Sequence, residues 1–294
     1  MSWQGILLVL FSATCHAAWN LLSKSSGGPI AFSRQALRWS AICYLLPILL
    51  IQPQVVYSPR YLICVVTSGV AVGLFFLFLS LAYQHGQVSV AYPIARSFPI
   101  LVVTWVAMLW GRYPSGLGLG GILLIMVGCF VLPMQRFTLG PEGFAPGNYF
   151  NRSCFWALMA ALATSVFAII DKIAAGSIVT KDFIPSLLTG VNYVYLQNLV
   201  AAGVMEVSTF RLKQPAPASH RPHAIAAGLI FLVSYTLIIL ALEREPVAYV
   251  VSFRQISIVI AAVVSLIWIE KQAHLPRMAG IALIFVGVML IGVA

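Results

Sequence analysis

Arg96 stands eight residues inside an apolar run that opens at Val88, on the order of 12 Å along a helix axis at ~1.5 Å per residue. Arg254 holds the matching place in a second such run, Ala248 to Ile269. A guanidinium held that far from water costs about 2.5 to 3.5 kcal/mol on insertion scales, so it should face a cavity or a partner. Arginine is also the side chain best shaped to grip a carboxylate or a phosphate, through a planar fork of donors. Pro93 and Pro99 flank Arg96. Each removes a backbone donor and frees a carbonyl, so the helix is expected to kink or break around the guanidinium. Arg254 has no flanking prolines. Tyr92, one turn before Arg96, shares its face and joins it as a candidate contact.

A second constellation lies in the first apolar run. Ser12, His16, Asn20 and Lys24 recur every four residues and form one polar stripe on an otherwise apolar helix. His16 can relay a proton, Asn20 can donate and accept hydrogen bonds, and Lys24 can attract an anion. Such groups also serve simply to bond neighbouring helices. Arg34 and Arg38, at i and i+4, suit a basic vestibule or an interface for lipid headgroups. Asn192, Tyr193, Tyr195, Gln197 and Asn198 cluster further on, with Tyr193 and Gln197 on one face, as further candidates for substrate contact. Of the seven acids, only Asp171 lies well within a span. Lys24, Arg96, Lys172 and Arg254 outnumber it, so a site built from them prefers an anion over a cation.

The elements that must position these groups follow from composition. The chain is 61% hydrophobic and 8% charged, with a mean hydropathy of +0.98, against about 25% charged in an average soluble domain. That excludes a disordered chain or a nucleic-acid binder despite the net charge of +10. Runs long enough to span a bilayer cover Trp3 to Leu22, Gln35 to Gln52, Tyr61 to Tyr83, Val88 to Trp110 and Gly116 to Met134. A second set covers Ser153 to Gly176, Ile184 to Ser208, Ala224 to Leu242, Ala248 to Ile269 and Pro276 to Val293. The first run lacks a basic leader and a small-residue cleavage site, so it reads as a retained helix. The expected fold is an all-α membrane protein of ten transmembrane helices.

The two sets repeat each other. Gly121, Ile122, Leu124, Ile125, Val127 and Gly128 recur as Gly280, Ile281, Leu283, Ile284, Val286 and Gly287, while Trp110 recurs as Trp268. Lys24 pairs with Lys172, and Trp19 with Phe167. Five spans per copy is an odd number, so the copies insert with opposite orientation, as the inverted repeats of secondary carriers do. The expected division is residues 1–134, a Gly- and Pro-rich connecting loop at 135–152, and residues 153–294, together one membrane domain.

Five cysteines, Cys15, Cys43, Cys64, Cys129 and Cys154, show no metal-ligand spacing and read as packing residues. Paired carboxylates and a His/Asp/Glu cluster at ligand spacing are both missing from the sequence, so neither catalytic residues nor a metal site is expected, and no cofactor.

The segments from Cys15 to Lys24, Gly86 to Ile100 and Phe167 to Gly176, with the glycine-spaced fifth and tenth spans, resemble the drug/metabolite transporter superfamily, specifically its ten-helix EamA type. The resemblance implies a carrier that moves a small metabolite by alternating access, with a central cavity lined by spans one, three, four, six, eight and nine. It implies the fifth and tenth spans at the periphery. The expectation is therefore a secondary transporter of a small anionic or zwitterionic metabolite, a carboxylate, phosphate or phosphonate, and not an enzyme. Its site residues are Arg96, Arg254, Tyr92, His16, Asn20, Lys24 and Lys172. The alternative is a lipid flippase or lipid-head-group binding protein that uses Arg34, Arg38 and the arginine pair. Expected partners are the small-molecule substrate, membrane lipids and, at most, a second copy in a homodimer, with no nucleic acid; the expected location is the bacterial inner membrane. On orientation two arguments disagree. The family is drawn with cytoplasmic termini, whereas five basic residues on the terminal side against ten on the other put the termini outside.

Overall fold

The computed structural model describes the chain except residues 25–27, 52–54, 56, 86–87, 132–133, 135, 139, 141–150, 179–181, 211–220 and 266–273. Most of the expected connecting loop, and Trp268, therefore lie outside the described residues. What is described is all-helical: α1 (Trp3–Lys24), α2 (Pro29–Ile51), α3 (Pro59–His85), α4 (Val88–Leu109), α5 (Gly116–Val131), α6 (Arg152–Ile178), α7 (Phe183–Thr209), α8 (Arg221–Arg244), α9 (Val247–Phe253), α10 (Ile256–Ser265) and α11 (Leu275–Val293). With α9 and α10 as two pieces of one span, these are the ten expected helices. Prolines open α2 and α3, where a missing N–H costs nothing. The apolar runs between have their backbone polar groups paired within the helix, the only local solution hydrocarbon permits.

Two helices depart from expectation. α4 runs unbroken through Pro93, Arg96 and Pro99, while the span carrying Arg254, which has no prolines, is the one that breaks. There the backbone tightens: Gln255 N–H donates to the Ser252 carbonyl at 3.0 Å, Ser257 to Arg254 at 3.1 Å and Ile258 to Gln255 at 2.8 Å. These i to i−3 bonds replace the i to i−4 ladder for one turn. Neighbouring helices can re-satisfy what a proline frees, so proline position alone did not locate the irregularity.

The outer surface is apolar. Leu45, Leu46, Leu49 and Leu50 of α2, Leu101 and Trp105 of α4, and Leu123 and Val127 of α5 are exposed, which only lipid makes tolerable over so wide an area. Trp3 and Phe210 are exposed at helix ends, the place of an interfacial aromatic belt. α5 packs along α11. A Cβ on Gly121 would meet the Gly287 carbonyl at 2.6 Å, a Cβ on Gly287 would meet the Gly121 carbonyl at 2.6 Å, and one on Gly128 would meet the Gly280 carbonyl at 2.8 Å. Since positions rise along α5 as they fall along α11, the two helices run antiparallel, with backbones as close as small residues allow. Inside, α3 packs on α6 as α8 packs on α1, and α3 on α7 as α8 on α2.

Lys172, on α6, ends α8. Its Nζ donates to the carbonyls of Leu242, Glu243 at 3.2 Å and Glu245 at 3.0 Å, carbonyls that no helical N–H reaches. The ammonium also opposes the negative end of the helix dipole.

Gly287→Leu should lower the midpoint of thermal unfolding in detergent, by an overpacking cost of about 1 to 3 kcal/mol, while Gly120→Leu, where a Cβ meets open space, should leave it unchanged. Lys172→Met leaves the α8 carbonyls unpaired and should cost about 1 to 3 kcal/mol in the same assay.

Candidate functional site

Between the halves lies a cavity with an empty volume of about 870 Å³ counted to its open mouth. Its wall comes from α1 (His16, Trp19), α3 (Val72, Phe75, Phe76, Leu79), α4 (Ala95, Arg96, Pro99), α6 (Thr164, Phe167, Ala168), α8 (Phe231, Tyr235, Ile238, Leu242) and α9 with the turn after it (Val250, Val251, Arg254, Gln255). The wall carries the sequence repeat. Val72, Phe76 and Leu79 of α3 line it as Phe231, Tyr235 and Ile238 line it from α8, each 159 positions later, and Trp19 lines it as Phe167 does.

The polar centre is His16, which is buried. Nη2 of Arg96 contacts its Nε2, and Nη2 of Arg254 lies 3.2 Å from its Nδ1. A guanidinium only donates, whereas a neutral imidazole has one lone pair to accept with. His16 can therefore accept from one arginine at a time, and the other contact sets donor against donor. Trp19 stacks on His16 with centroids 5.7 Å apart and planes 17° from parallel, which fixes the ring's plane. The Trp19 indole N–H, an obligate donor, is buried with no hydrogen-bond partner among the described residues. Gln255 donates to the Arg96 carbonyl at 3.4 Å and to Val251 at 3.2 Å, tying the broken span to α4. The guanidinium of Arg254 sits 5.6 Å from the centroid of the Tyr235 ring, at cation–π distance.

The expected site residues are thus divided. His16, Arg96 and Arg254 meet in the cavity. Lys172 does not line it and holds the end of α8. The side chains of Tyr92, Asn20 and Lys24 lie outside the described residues. Arg34 and Arg38 are engaged by one carboxylate: Arg34 Nη2 is 2.9 Å from Glu206 Oε2 and Arg38 Nη2 is 2.7 Å from it, an ion-pair cluster joining α2 to α7. The polar cluster of α7 turns to the protein core rather than the cavity. Asn192 accepts from Tyr61 at 2.8 Å, Asn198 donates to the Leu37 carbonyl at 3.3 Å, and Tyr193 and Gln197 donate to Asp171. Ser12 bonds to Ser234 on α8. The residues that sequence reasoning missed are Trp19 as a wall of the site, Tyr235 and Gln255. The signal was present in part, since Phe76 of the first half aligns with Tyr235 of the second, a hydroxyl gained in an apolar span.

The cavity brings two guanidiniums to one imidazole, walled by aromatic rings. Such a place suits a ligand with a negatively charged or acceptor-rich end and an apolar body.

The comparisons agree with this architecture. One solved crystal structure, described in no more detail than as that of a protein, superposes with a TM-score of 0.75 at 17% identity, covering 99% of this chain and 96% of its own; it shows the fold. A comparison with curated proteins finds no match. Residues 3–134 match the EamA-like transporter family. The match covers the first five helices, and the apolar, multi-pass helical body is that of an integral membrane protein.

Proposed function

We propose that the protein is a secondary transporter of a small organic anion or zwitterion, a carboxylate, phosphate or phosphonate, with Arg96 and Arg254 as the clamp. One observation carries the reading: two guanidiniums close on a single buried imidazole that can accept from one of them. An anionic oxygen entering beside His16 accepts from both arginines and relieves the opposed donors, and charge-assisted bonds of this kind are roughly twice as strong as neutral ones. The Trp19 N–H is a further donor on the same wall. His16 then acts as a stand-in that keeps the arginines converged while the site is empty.

In this reading residues 1–134 and 153–294 are inverted repeats, and the bacterial inner membrane is the location. The antiparallel glycine contact of α5 with α11 and the reciprocal packing of α3 on α6 and α8 on α1 support the inversion. One repeat rocks against the other around the fixed site, the general route to alternating access. Contacts that must open on the terminal side include Ser2 donating to Glu245, Arg244 to Gln4 and Lys172 to the end of α8. On the other side stands the Arg34–Arg38–Glu206 cluster. The lipid-head-group alternative loses its vestibule, because Glu206 already occupies both arginines there.

The test compares thermal shifts of the purified protein with benzoate and phenylphosphonate against benzamide and benzyl alcohol. The anions should raise the unfolding midpoint by mass action and the neutral analogues should not. Arg96→Gln should fold and lose both the shift and uptake in proteoliposomes, by at least about tenfold for the loss of one charge-assisted contact worth about 1.5 to 3 kcal/mol. Equal shifts with the neutral compounds, or full uptake by Arg96→Gln, defeat the reading.

A further inference from the structure

Beneath the cavity wall lies an acid that anion binding alone does not require. Asp171 of α6 is fully buried. Its Oδ1 accepts from Ser68 of α3 at 2.6 Å, from Tyr193 of α7 at 2.7 Å and from Gln197 at 3.1 Å, and its Oδ2 accepts from Tyr235 of α8 and from Gln197 at 3.3 Å. The partners that bond Asp171 are a serine, two tyrosines and a glutamine, so it is held by neutral dipoles. An intramembrane carboxylate of that kind is costly and by default functional.

The composition of this shell is specific. Ser68, Tyr193 and Tyr235 are hydroxyls, which accept as readily as they donate, whereas the Gln197 amide nitrogen only donates. A proton placed on Oδ2 can therefore be accommodated by turning one hydroxyl, with Gln197 still donating to Oδ1. The surrounding groups that carry charge or titrate are few. From α3, Cys64 accepts through its carbonyl from Tyr193 at 3.4 Å, and Tyr61 packs edge-on against Tyr193. From α4, Arg96 is turned to His16 of α1; from α9, Arg254 lies over the Tyr235 ring; Lys172, next in sequence, is turned to the end of α8. Tyr235 touches Asp171, underlies Arg254 and lines the cavity.

We infer that Asp171 is the coupling site of the carrier, taking up one proton from the cavity through Tyr235 when an anion binds at Arg96 and Arg254, so that proton and anion move in the same direction. This rests on the anion reading of the cavity. The transfer balances: a hydronium in the cavity gives its proton to Tyr235 Oη while the Tyr235 O–H bond breaks and that proton passes to Asp171 Oδ2, leaving water, an intact phenol and a carboxylic acid. Release runs in reverse. The coupling is electrostatic. Neutralising Asp171 removes a negative charge that lies one phenol ring from Arg254 and strengthens the hold of that arginine on the anion, and by linkage the bound anion favours the proton equally. The asymmetry of the repeats fits a single coupling site, since the first half has Ser23 and Phe76 where the second has Asp171 and Tyr235.

Two measurements test it. Infrared difference spectra between alkaline and acid buffer, taken without ligand, should show a carboxylic-acid carbonyl band in the wild type that is missing in Asp171→Asn, shifted in Asp171→Glu and retained in Arg96→Gln. In proteoliposomes, a proton gradient should drive phenylphosphonate or benzoate accumulation, by up to about tenfold per pH unit at one proton per anion. Asp171→Asn should keep exchange of the same anion and lose that response, and Tyr235→Phe should slow the response while keeping the infrared band. Should Asp171→Asn fail to fold, Asp171→Glu and Tyr235→Phe still report. Absence of the band, or accumulation in Asp171→Asn that follows the gradient as the wild type does, overturns the proposal. The two readings fail separately: if no anion binds or moves while the band titrates, the anion reading has failed and the coupling with it; if anions move regardless of the gradient, only the coupling has.

Discussion

The protein is organised around the confinement of two guanidinium groups with one imidazole between them, in the wall of an interior cavity. Each arginine is expensive there, and the mutual repulsion of two cations adds to the cost. The arrangement persists because the helices that carry them are held by interactions made elsewhere. Glycine contacts bring α5 and α11 into backbone contact, Ser12 and Ser234 lock α1 to α8, Lys172 fastens α6 to the end of α8, and Gln255 ties the broken span to α4. Packing at the periphery thus holds the two cations together at the centre.

Two polar systems share the interior and differ in kind. Around His16 two guanidiniums meet one imidazole. Around Asp171 one carboxylate has four neutral donor residues and is fully satisfied. Tyr235 belongs to both, its ring under Arg254 and its hydroxyl on Asp171. Satisfied buried networks rigidify a core, so the Asp171 system is a rigid link joining α3, α6, α7 and α8.

Repetition supplies the scaffold and departure from it supplies direction. Trp19 and Phe167, Phe76 and Tyr235, Arg96 and Arg254 face one cavity from opposite halves. Yet only one of the two aromatic positions on α3 and α8 carries a hydroxyl, only one half has the acid, and only one arginine sits at a helix break. Two identical halves would give a site with no preferred polarity; these differences give it one.

The sequence by itself determined the spans. A long run of apolar residues has one stable backbone conformation in hydrocarbon, so most helices begin and end within a few residues of where hydropathy puts them, α2 starting six residues earlier; burial cost singled out Arg96 and Arg254, and a polar stripe at four-residue spacing singled out His16. What only the tertiary structure decided is who meets whom. Lys172 pairs with Lys24 in the repeat, but its neighbour in space is the end of α8, and that depends on how α6 packs. Tyr193 and Gln197 share a helix face legible from spacing, while the partner of that face, Asp171, comes from another helix, 22 and 26 residues away in the chain. The break at Arg254 was hidden for the same reason: proline reports what one helix cannot do alone, whereas a turn in a buried span is set by the neighbours that bond its freed groups, and no local pattern records them.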